Sequence, residues 1–461
     1  MAAPSAALTS GSPARLWGAG LASRPFRSAL LVLAGVPIGL AYIWYGIIWP
    51  LLSDQTNDFR QVYMAGAGAL AAGKDPYQCT TGLCSGHAQG YLGAWGSAYP
   101  PFYPPFPLWL LEPFTGFDPR VVDGVALLVA TALLAFFIWI VLRTLDVRDW
   151  QLGALVVLLS ISFAPTLTEI QNRNFQILVL ALSGIVLAAW LRGDRWGGGA
   201  ALGFGLAIKL VQAPLLLLSL WGRRRLTVAS ALVTWAVLWA IGAPRYLPEY
   251  LFQVLPAVGR GTGEEMNVAP MAALARLVHP GSLYKQGTGV DSVVLALTAL
   301  AAVAVVVVTL PRLGAPRPDR GGRALEMAAA FAASPLLLTV VWAGQLVLLL
   351  VPIIVLLDFG LKRGSRGLVV AVAVAWFLIG PVYLAFTNAF AAGFGFPLLF
   401  DVWSDSAMAG VVVLWLASLH ALRLAGVGDS SPRPSPQPSP LRGEGVAHAS
   451  LPFGGRGLPR P

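Results

Sequence analysis

The chain has 461 residues, of which 57% are hydrophobic and only 11% are charged, and its mean hydropathy is +0.71. Soluble domains carry about twice this share of charged residues, so the composition excludes a soluble protein and indicates one embedded in a membrane. The net charge of +10 does not predict nucleic-acid binding, because the arginines lie mainly in short segments between apolar runs, where they set membrane orientation.

Apolar runs of about 20 residues, the length that crosses a bilayer, recur along the chain. The first run, 29–52, follows the basic segment 1–28. This run is too long for a cleavable signal peptide and lacks a small-residue cleavage site, so we expect an uncleaved anchor with a cytoplasmic N-terminus. The residues 426–461, rich in Pro, Ser, Gly and Arg, predict a disordered cytoplasmic tail. The other predicted spans are 120–143, 151–168, 174–192, 226–243, 289–309, 325–341, 343–358, 367–387 and 405–425.

The apolar run 197–221 has basic clusters on both sides, and a single span would place one cluster on the wrong face of the membrane. A hairpin of two short helices that turns near Lys209 keeps both clusters in the cytoplasm. With this hairpin, the sequence predicts an all-α polytopic membrane protein whose transmembrane domain, 29–425, is a bundle of about twelve helices.

Two long segments, 53–119 and 244–288, then lie on the extracytoplasmic side. The part 99–114 contains several prolines that would break a spanning helix, so we expect an interfacial or re-entrant segment, with a short span as the alternative. Cys79 and Cys84 lie in the first long segment. In an oxidising compartment these two cysteines can form a disulfide, and the alternative is two free thiols.

A helix on the membrane surface is predicted directly after the first span. Asn57 is a good N-cap for it, and Gly73 is a good C-terminal stop. Asp58 falls in the first turn, where the helix dipole favours the ionised carboxylate. Because a charge at the edge of a bilayer is costly to keep, we interpret Asp58 as a functional acid, with Asp54 as the alternative.

Polar residues near the ends of other predicted spans fall on the same side of the membrane, which indicates a cavity there. Lys209 stands alone among apolar residues and must either bind an anion or extend to the interface. Asn174 and Gln176 head a span, where ligand binding and ordinary helix capping are both open. No residue cluster predicts a metal or nucleotide site, so we expect a reaction without metal or cofactor.

One set of residues keeps a recognisable spacing after the first span: Asp58-Phe59, Tyr63, Ala65-Gly66, Leu70, Gly73 and Asp75-Pro76-Tyr77. Together they resemble the opening motif of glycosyltransferase family 87. Members of that family are membrane enzymes of the GT-C fold that use polyprenyl-phosphate sugars. The fold implied by the resemblance is therefore a GT-C-like bundle with interfacial helices in a large first extracytoplasmic loop.

Later segments resemble the family in the same order. Tyr99 begins the first of two successive Tyr-Pro-Pro-Phe repeats, which are similar to the next family motif. The run Asn174-Phe175-Gln176 resembles the family's Gly-Gln-x-Asn or Gln signature, with Arg173 in place of its glycine. The glycine-rich run that ends at Lys209 is similar to a hairpin of the family. Asn267 lies where the family has an asparagine in its second large loop.

The resemblance implies transfer of a sugar, typically mannose or arabinofuranose, from a polyprenyl-phosphate donor to a glycolipid or polysaccharide acceptor. It implies an inverting enzyme of the inner membrane, embedded in the lipid bilayer, whose active site faces the extracytoplasmic side. Gln345 departs from the pattern, because relatives often carry a histidine near this position. A glutamine can donate a hydrogen bond to the lipid phosphate but brings no charge.

The implied roles can be assigned residue by residue. Asp58 is expected to be the general base and Lys209 to assist the phosphate leaving group. A membrane transporter or flippase is the alternative function, although the chain lacks the paired broken helices typical of that class. The remaining substrate-binding candidates are Arg173, Asn174, Gln176, Asn267, Gln345, Tyr63, Tyr77 and Tyr99, the tyrosines having an interfacial aromatic belt as their alternative.

Overall fold

The computed structural model describes residues 24–53, 57–77, 103–259, 261, 263, 266–279, 290–314, 317–386 and 403–428. Within these ranges the regular structure is helical, apart from an isolated β-bridge between Asn267 and Trp342. The helices are α1 (Arg24–Tyr42), α2 (Ala65–Ala71), α3 (Pro105–Leu111), α4 (Pro119–Thr144), α5 (Trp150–Ile161), α6 (Ala164–Gln171), α7 (Gln176–Leu191), α8 (Trp196–Ile208), α9 (Ala213–Trp221), α10 (Arg225–Ile241), α11 (Leu255–Gly259), α12 (Pro270–Val278), α13 (Ser292–Leu313), α14 (Arg320–Ala333), α15 (Leu350–Arg363), α16 (Arg366–Phe377) and α17 (Ser406–Gly428).

Short π or 3-10 segments extend several of these helices. Ile43–Ile48 and Trp49–Leu52 continue α1, and Phe59–Met64 leads into α2. Ala343–Leu349 leads into α15, and Leu378–Val382 continues α16. Several spans are therefore longer than their α-helical parts alone.

Six helices in the described ranges are long and apolar enough to cross a membrane: Pro25–Leu52, Pro119–Thr144, Ser292–Leu313, Ala343–Arg363, Arg366–Phe386 and Ser406–Ala425. The number rises to eight if the bent pairs α5 with α6 and α10 with Pro244–Gly259 each cross once. The described part of the chain is thus helical throughout its regular structure, as expected for a multi-pass membrane protein. The count of about twelve stays a prediction, because α7, α8 and Leu210–Trp221 are shorter than a typical spanning helix.

The span predicted at 325–341 differs from the structure. Helix α14 begins at Arg320 and ends at Ala333, because Pro335 cannot donate the next helical hydrogen bond and a 3-10 turn follows. Every residue from 324 to 333 is buried, and the helix packs against α15 and α17. This segment lies in the centre of the bundle, so its hydrophobicity reflects contact with protein rather than with lipid.

The structure breaks the run 197–221 at the predicted place. Lys209 is extended, with φ −151° and ψ 126°, between the end of α8 and a 3-10 turn that precedes α9. The Asp194 carboxylate accepts hydrogen bonds from the N–H groups of Leu226 and Thr227, both at 2.8 Å. The N-termini of α8 and α10 therefore lie at the same end of the bundle, and α9 must run back between them, as the hairpin prediction requires.

Glycines allow α8 and α10 to pack closely. A Cβ atom on Gly199 would lie 1.8 Å from the Ser230 hydroxyl oxygen, and one on Gly203 would lie 2.3 Å from the Ala231 carbonyl oxygen. No side chain fits at either position without moving the partner backbone. Small residues spaced four apart are typical of such close helix contacts in membranes. This contact holds α8, and so the extended Lys209 at its end, in place.

Basic residues gather at the opposite end of these helices from Lys209. The Arg224 guanidinium pairs with Glu326 at 3.0 Å, Arg320 donates to the Thr144 carbonyl at 2.9 Å, and Lys362 donates to the Leu145 carbonyl at 3.3 Å. These contacts join the ends of α4, α10, α14 and α15. We refer to this part of the bundle as the basic end.

The α8–α10 contact yields a first prediction. Gly203→Ala should lower the free energy of unfolding by about 1–3 kcal/mol, because the new methyl group overlaps the α10 backbone. Gly197→Ala is the matched control in the same helix, since a Cβ there meets no atom within 4 Å. Thermal unfolding in mild detergent measures both. Equal midpoints for the two variants would contradict the close contact.

Candidate functional site

A cavity of about 410 Å³ lies at the end of the bundle away from the basic end. Its wall combines the first turn before α2, the end of α6, the turn between α6 and α7, the extended residue after α8 and the segment before α15. Aromatic Tyr103, Trp342 and Tyr383 also contribute to it. The polar side chains in the wall belong to Asp58, Gln61, Thr168, Glu169, Asn172, Asn174, Lys209 and Gln345.

The segment before α2 places Asp58 at the cavity. The Asn57 side-chain oxygen accepts a hydrogen bond from the Arg60 N–H at 3.1 Å, which confirms Asn57 as the N-cap. The Phe59 N–H donates to the Asn172 carbonyl at 3.2 Å, which ties this turn to the α6–α7 connection. Gly73, with φ +69°, ends the helix as predicted.

The helix from Phe59 to Ala71 is covered by protein on most of its sides. Tyr63 and Met64 are fully buried, as is Ala67, and the helix packs against α3 and α4. The sequence predicted a helix lying on the membrane surface, with one buried face. The run of small residues explains the difference, because it lets neighbouring helices approach from several directions. Asp58 is thus held by a packed element.

The Asn174 side chain lies at the centre of the polar groups. Its amide nitrogen donates to Asp58 Oδ2 at 2.9 Å. Its oxygen accepts from Lys209 Nζ at 3.0 Å and from the Tyr63 hydroxyl at 3.1 Å. One neutral side chain therefore bridges a carboxylate and an ammonium, and no direct ion pair joins Asp58 to Lys209 within the described residues.

Lys209 is 4% exposed, and its ammonium makes a hydrogen bond and a ring contact and also interacts electrostatically with Glu169. Besides Asn174, its ammonium lies 4.8 Å from the centre of the Tyr103 ring, within cation–π range. A buried ammonium is costly unless its charge is compensated. A hydrogen bond and a ring compensate it in part, so this site favours an additional anion.

Tyr63 lies behind the cavity wall. Its ring stacks on Tyr103, with centroids 4.4 Å apart and planes 6° apart. Burial raises the pKa of the Tyr63 hydroxyl well above its usual range, so the phenol stays protonated and donates to Asn174. Tyr63 therefore orients the Asn174 amide, and Tyr103 forms the surface that faces the cavity.

Arg173 turns away from the cavity. Its φ of +46° sends the backbone through a left-handed turn, and its guanidinium pairs with Asp123 Oδ2 at 3.1 Å in a buried site. The other Asp123 oxygen accepts from the Asn57 side chain at 3.0 Å. Asp123 thus contacts both Asn57 and Arg173, which directly precede Asp58 and Asn174 along the chain. The sequence proposed Arg173 for substrate binding, whereas the structure places it in this support.

Three further predicted residues do not line the cavity. Gln176 is fully buried at the start of α7, and its side-chain amide has no hydrogen-bond partner among the described residues. The Tyr77 hydroxyl donates to the Tyr103 carbonyl at 2.7 Å. The Asn267 side-chain oxygen accepts from the Val341 N–H at 2.9 Å and so fixes the segment before α15. The other predicted residues, Asp54, Cys79, Cys84 and Tyr99, lie outside the described ranges.

Glu169 is a cavity residue that the sequence did not select as a site. It lies in the last turn of α6, is 4% exposed, and its Oε2 atom has no hydrogen-bond partner among the described residues. The sequence signal that could have identified Glu169 is its position, since it is an acid near the end of an apolar run. No group of three His, Cys, Asp or Glu side chains suited to a metal ion is found in the described ranges.

Comparison with protein families identifies the chain. The model of glycosyltransferase family 87 matches residues 102–338, just over half of the sequence. The chain belongs to glycosyltransferase family 87. No curated protein matches it. The matched residues include Asn174, Glu169 and Lys209, whereas Asp58 and Gln345 lie outside the match.

Membership of family 87 confirms the resemblance seen in the sequence and makes the protein a membrane glycosyltransferase. The cavity is consistent with this activity, because sugar transfer needs polar groups enclosed by a water-restricted wall. Of the predicted site residues within the described ranges, Asp58, Asn174, Lys209 and Gln345 meet in this one cavity.

The Asp123 support yields a second prediction. Asp123→Ala should destabilise the protein by about 3–5 kcal/mol, because it leaves the Arg173 charge buried without its partner. Asp146→Asn is the control, because asparagine tolerates the left-handed backbone of Asp146, with φ +53°, which alanine would strain. It removes an ion pair to Arg148 whose side chains are 66% and 85% exposed, so the midpoint should barely change. Thermal unfolding in detergent measures the midpoint of each variant. Equal shifts of the midpoint for both variants would contradict a supporting role of Asp123.

Proposed function

We propose that the protein transfers mannose or arabinofuranose from a polyprenyl-phosphate donor to a hydroxyl of a glycolipid or polysaccharide acceptor. The observation that carries this proposal is the arrangement around Asn174. An accessible carboxylate and a buried ammonium share one cavity wall and are separated by a neutral amide. Such a pair suits a reaction that needs a base at one atom and positive charge at another.

Asp58 acts as the general base in this proposal. Its Oδ2 atom is fixed by Asn174, and its Oδ1 atom accepts no hydrogen bond from any described residue. Oδ1 takes the proton of the acceptor hydroxyl while that oxygen attacks the anomeric carbon. The bond from this carbon to the phosphate oxygen breaks, its electron pair stays on the phosphate, and the anomeric configuration inverts.

Lys209 stabilises the departing polyprenyl phosphate. The leaving oxygen gains negative charge as its bond to the sugar breaks, and a buried ammonium lowers the energy of that state more than a solvated one does. Asn174 holds the ammonium in place, so little reorganisation is needed. Gln345, which also lines the cavity, contributes a neutral amide in place of the histidine common in relatives.

The basic end supports an orientation with this cavity on the extracytoplasmic side of the inner membrane. Cytoplasmic loops of membrane proteins are enriched in lysine and arginine. Arg224, Arg320 and Lys362 lie at the end of the bundle away from the cavity. The donor would then be used from the outer leaflet.

Membership of family 87 disfavours the alternative function, a transporter or flippase for a lipid-linked or small polar substrate. The alternative is distinguished by transfer of labelled sugar from a polyprenyl phosphate to an acceptor in detergent, where no membrane separates two compartments. The glycosyltransferase transfers the label under these conditions, and a transporter does not.

Asp58→Asn should reduce sugar transfer by about 10²–10⁴-fold, because the amide cannot take the acceptor proton. Binding of the donor should change little. Asp146→Asn, the same substitution at an exposed acid of the basic end, is the control and should keep full activity. Transfer of labelled sugar measures both variants. Near-normal activity of Asp58→Asn would remove the proposed base.

Lys209→Met should reduce the maximal rate by about 10²–10³-fold, because the side chain keeps its length but loses the charge that stabilises the phosphate. Lys209→Arg should recover part of the rate. The dependence of transfer on donor concentration separates binding from catalysis. An unchanged rate and unchanged donor dependence in Lys209→Met would exclude this role.

A further inference from the structure

The proposed reaction leaves one acidic side chain of the described cavity wall without a role. Glu169 lies beside Asp58 and Lys209 in this wall. Its Oε2 atom is buried and accepts no hydrogen bond within the described residues, and no described cation lies within 4 Å of it. A buried acceptor without a donor is costly to fold, which points to a ligand that supplies the donor.

Gly344 lies directly against the Glu169 side chain. A Cβ atom at Gly344 would lie 1.9 Å from Glu169 Oε1 and 2.8 Å from its Cδ. Any larger residue at this position would therefore displace the acid. The next residue, Gln345, has a buried side-chain oxygen that also lacks a described donor. Two acceptors without donors thus lie on neighbouring parts of the same wall.

The chemistry of this wall selects among the parts of a lipid-linked sugar. An ionised phosphate offers only acceptor oxygens and cannot donate a hydrogen bond to Glu169 Oε2 or Gln345 Oε1. Sugar hydroxyls can donate, so they suit buried acceptors that lack a donor. The Glu169 wall suits the sugar, whereas the Lys209 region suits the phosphate.

We propose that Glu169 binds hydroxyl groups of the transferred sugar. This inference rests on the proposed function, because it takes the donor to be a polyprenyl-phosphate sugar. Glu169 is then a specificity residue, because a lipid without sugar hydroxyls leaves its buried Oε2 atom without a hydrogen-bond donor.

The test compares lipids that differ only in the sugar. The full-length protein in detergent is titrated with polyprenyl phosphate, polyprenyl-phosphate mannose and polyprenyl-phosphate arabinofuranose. The wild type should bind one sugar-bearing lipid at least ~10-fold more tightly than polyprenyl phosphate, as expected when a hydroxyl satisfies a buried acceptor. Glu169→Ala should reduce this preference to ~2-fold or less, and its affinity for polyprenyl phosphate should stay the same or increase.

Two further variants make the comparison specific. Glu169→Gln keeps the size of the side chain, should retain folding, and should show a smaller preference than the wild type. It decides the question if Glu169→Ala does not fold. Glu112→Gln removes a carboxylate outside the cavity and should keep the full preference.

Three results would overturn the inference: an intact preference in both Glu169 variants, an equal loss of affinity for all three lipids, or no preference in the wild type. Sugar transfer by the wild type distinguishes these failures from failure of the proposed function. If transfer occurs and the Glu169 variants keep the preference, only the inference is wrong. If the wild type neither binds these lipids nor transfers sugar, the proposed function is wrong, and the inference with it.

Discussion

The cavity depends on one hydrogen-bonded side chain, Asn174. A carboxylate and an ammonium close together would ordinarily form an ion pair and neutralise each other. The amide prevents this by giving its N–H to Asp58 and its oxygen to Lys209, so each charged group is anchored and keeps its charge for a substrate. Asparagine suits this position because its side chain offers a donor and an acceptor at opposite corners of one planar group.

The support beneath this arrangement comes from a third part of the chain. Asp123, in the first turns of α4, accepts from Asn57 and pairs with Arg173, each the immediate neighbour of a cavity residue. The segments carrying Asp58 and Asn174 are more than a hundred residues apart, and loops would not hold their spacing to a fraction of an ångström. A buried charge pair and a backbone bond from Phe59 to Asn172 fix that spacing instead.

Local patterns in the sequence predicted much of this structure. The N-cap at Asn57, the stop at Gly73 and the break at Lys209 follow from backbone chemistry, which acts over a few residues. Loop charges correctly grouped Asp58, Asn174 and Lys209 at one end. Side-chain direction could not be predicted in this way. Arg173 points away from the cavity because of its left-handed backbone, and no local pattern shows that α14 is surrounded by other helices instead of by lipid.

Glu169 and Gln176 also show that the sequence does not predict which polar side chains line the cavity. Both are polar residues close to the α6–α7 turn, and both lie next to apolar segments. The structure places Glu169 in the cavity wall and buries Gln176 completely within α7. Which of the two can bind a ligand depends on its exact position relative to the helix ends. Hydrophobic periodicity in a single sequence does not show that position.

The short hairpin of α8 and α9 also places a break in the backbone deep inside the membrane. Helix α8 has 13 residues and is about 20 Å long, whereas the hydrocarbon core of a bilayer is about 30 Å thick. If α8 begins at one boundary of that core, its tip stops about 10 Å short of the other. Non-helical backbone at this depth needs protein or water around it, because lipid offers no hydrogen-bond partners. Most of α8 is buried against α7 and α10, and Lys209 lines the cavity, so the cavity is what allows the chain to turn there.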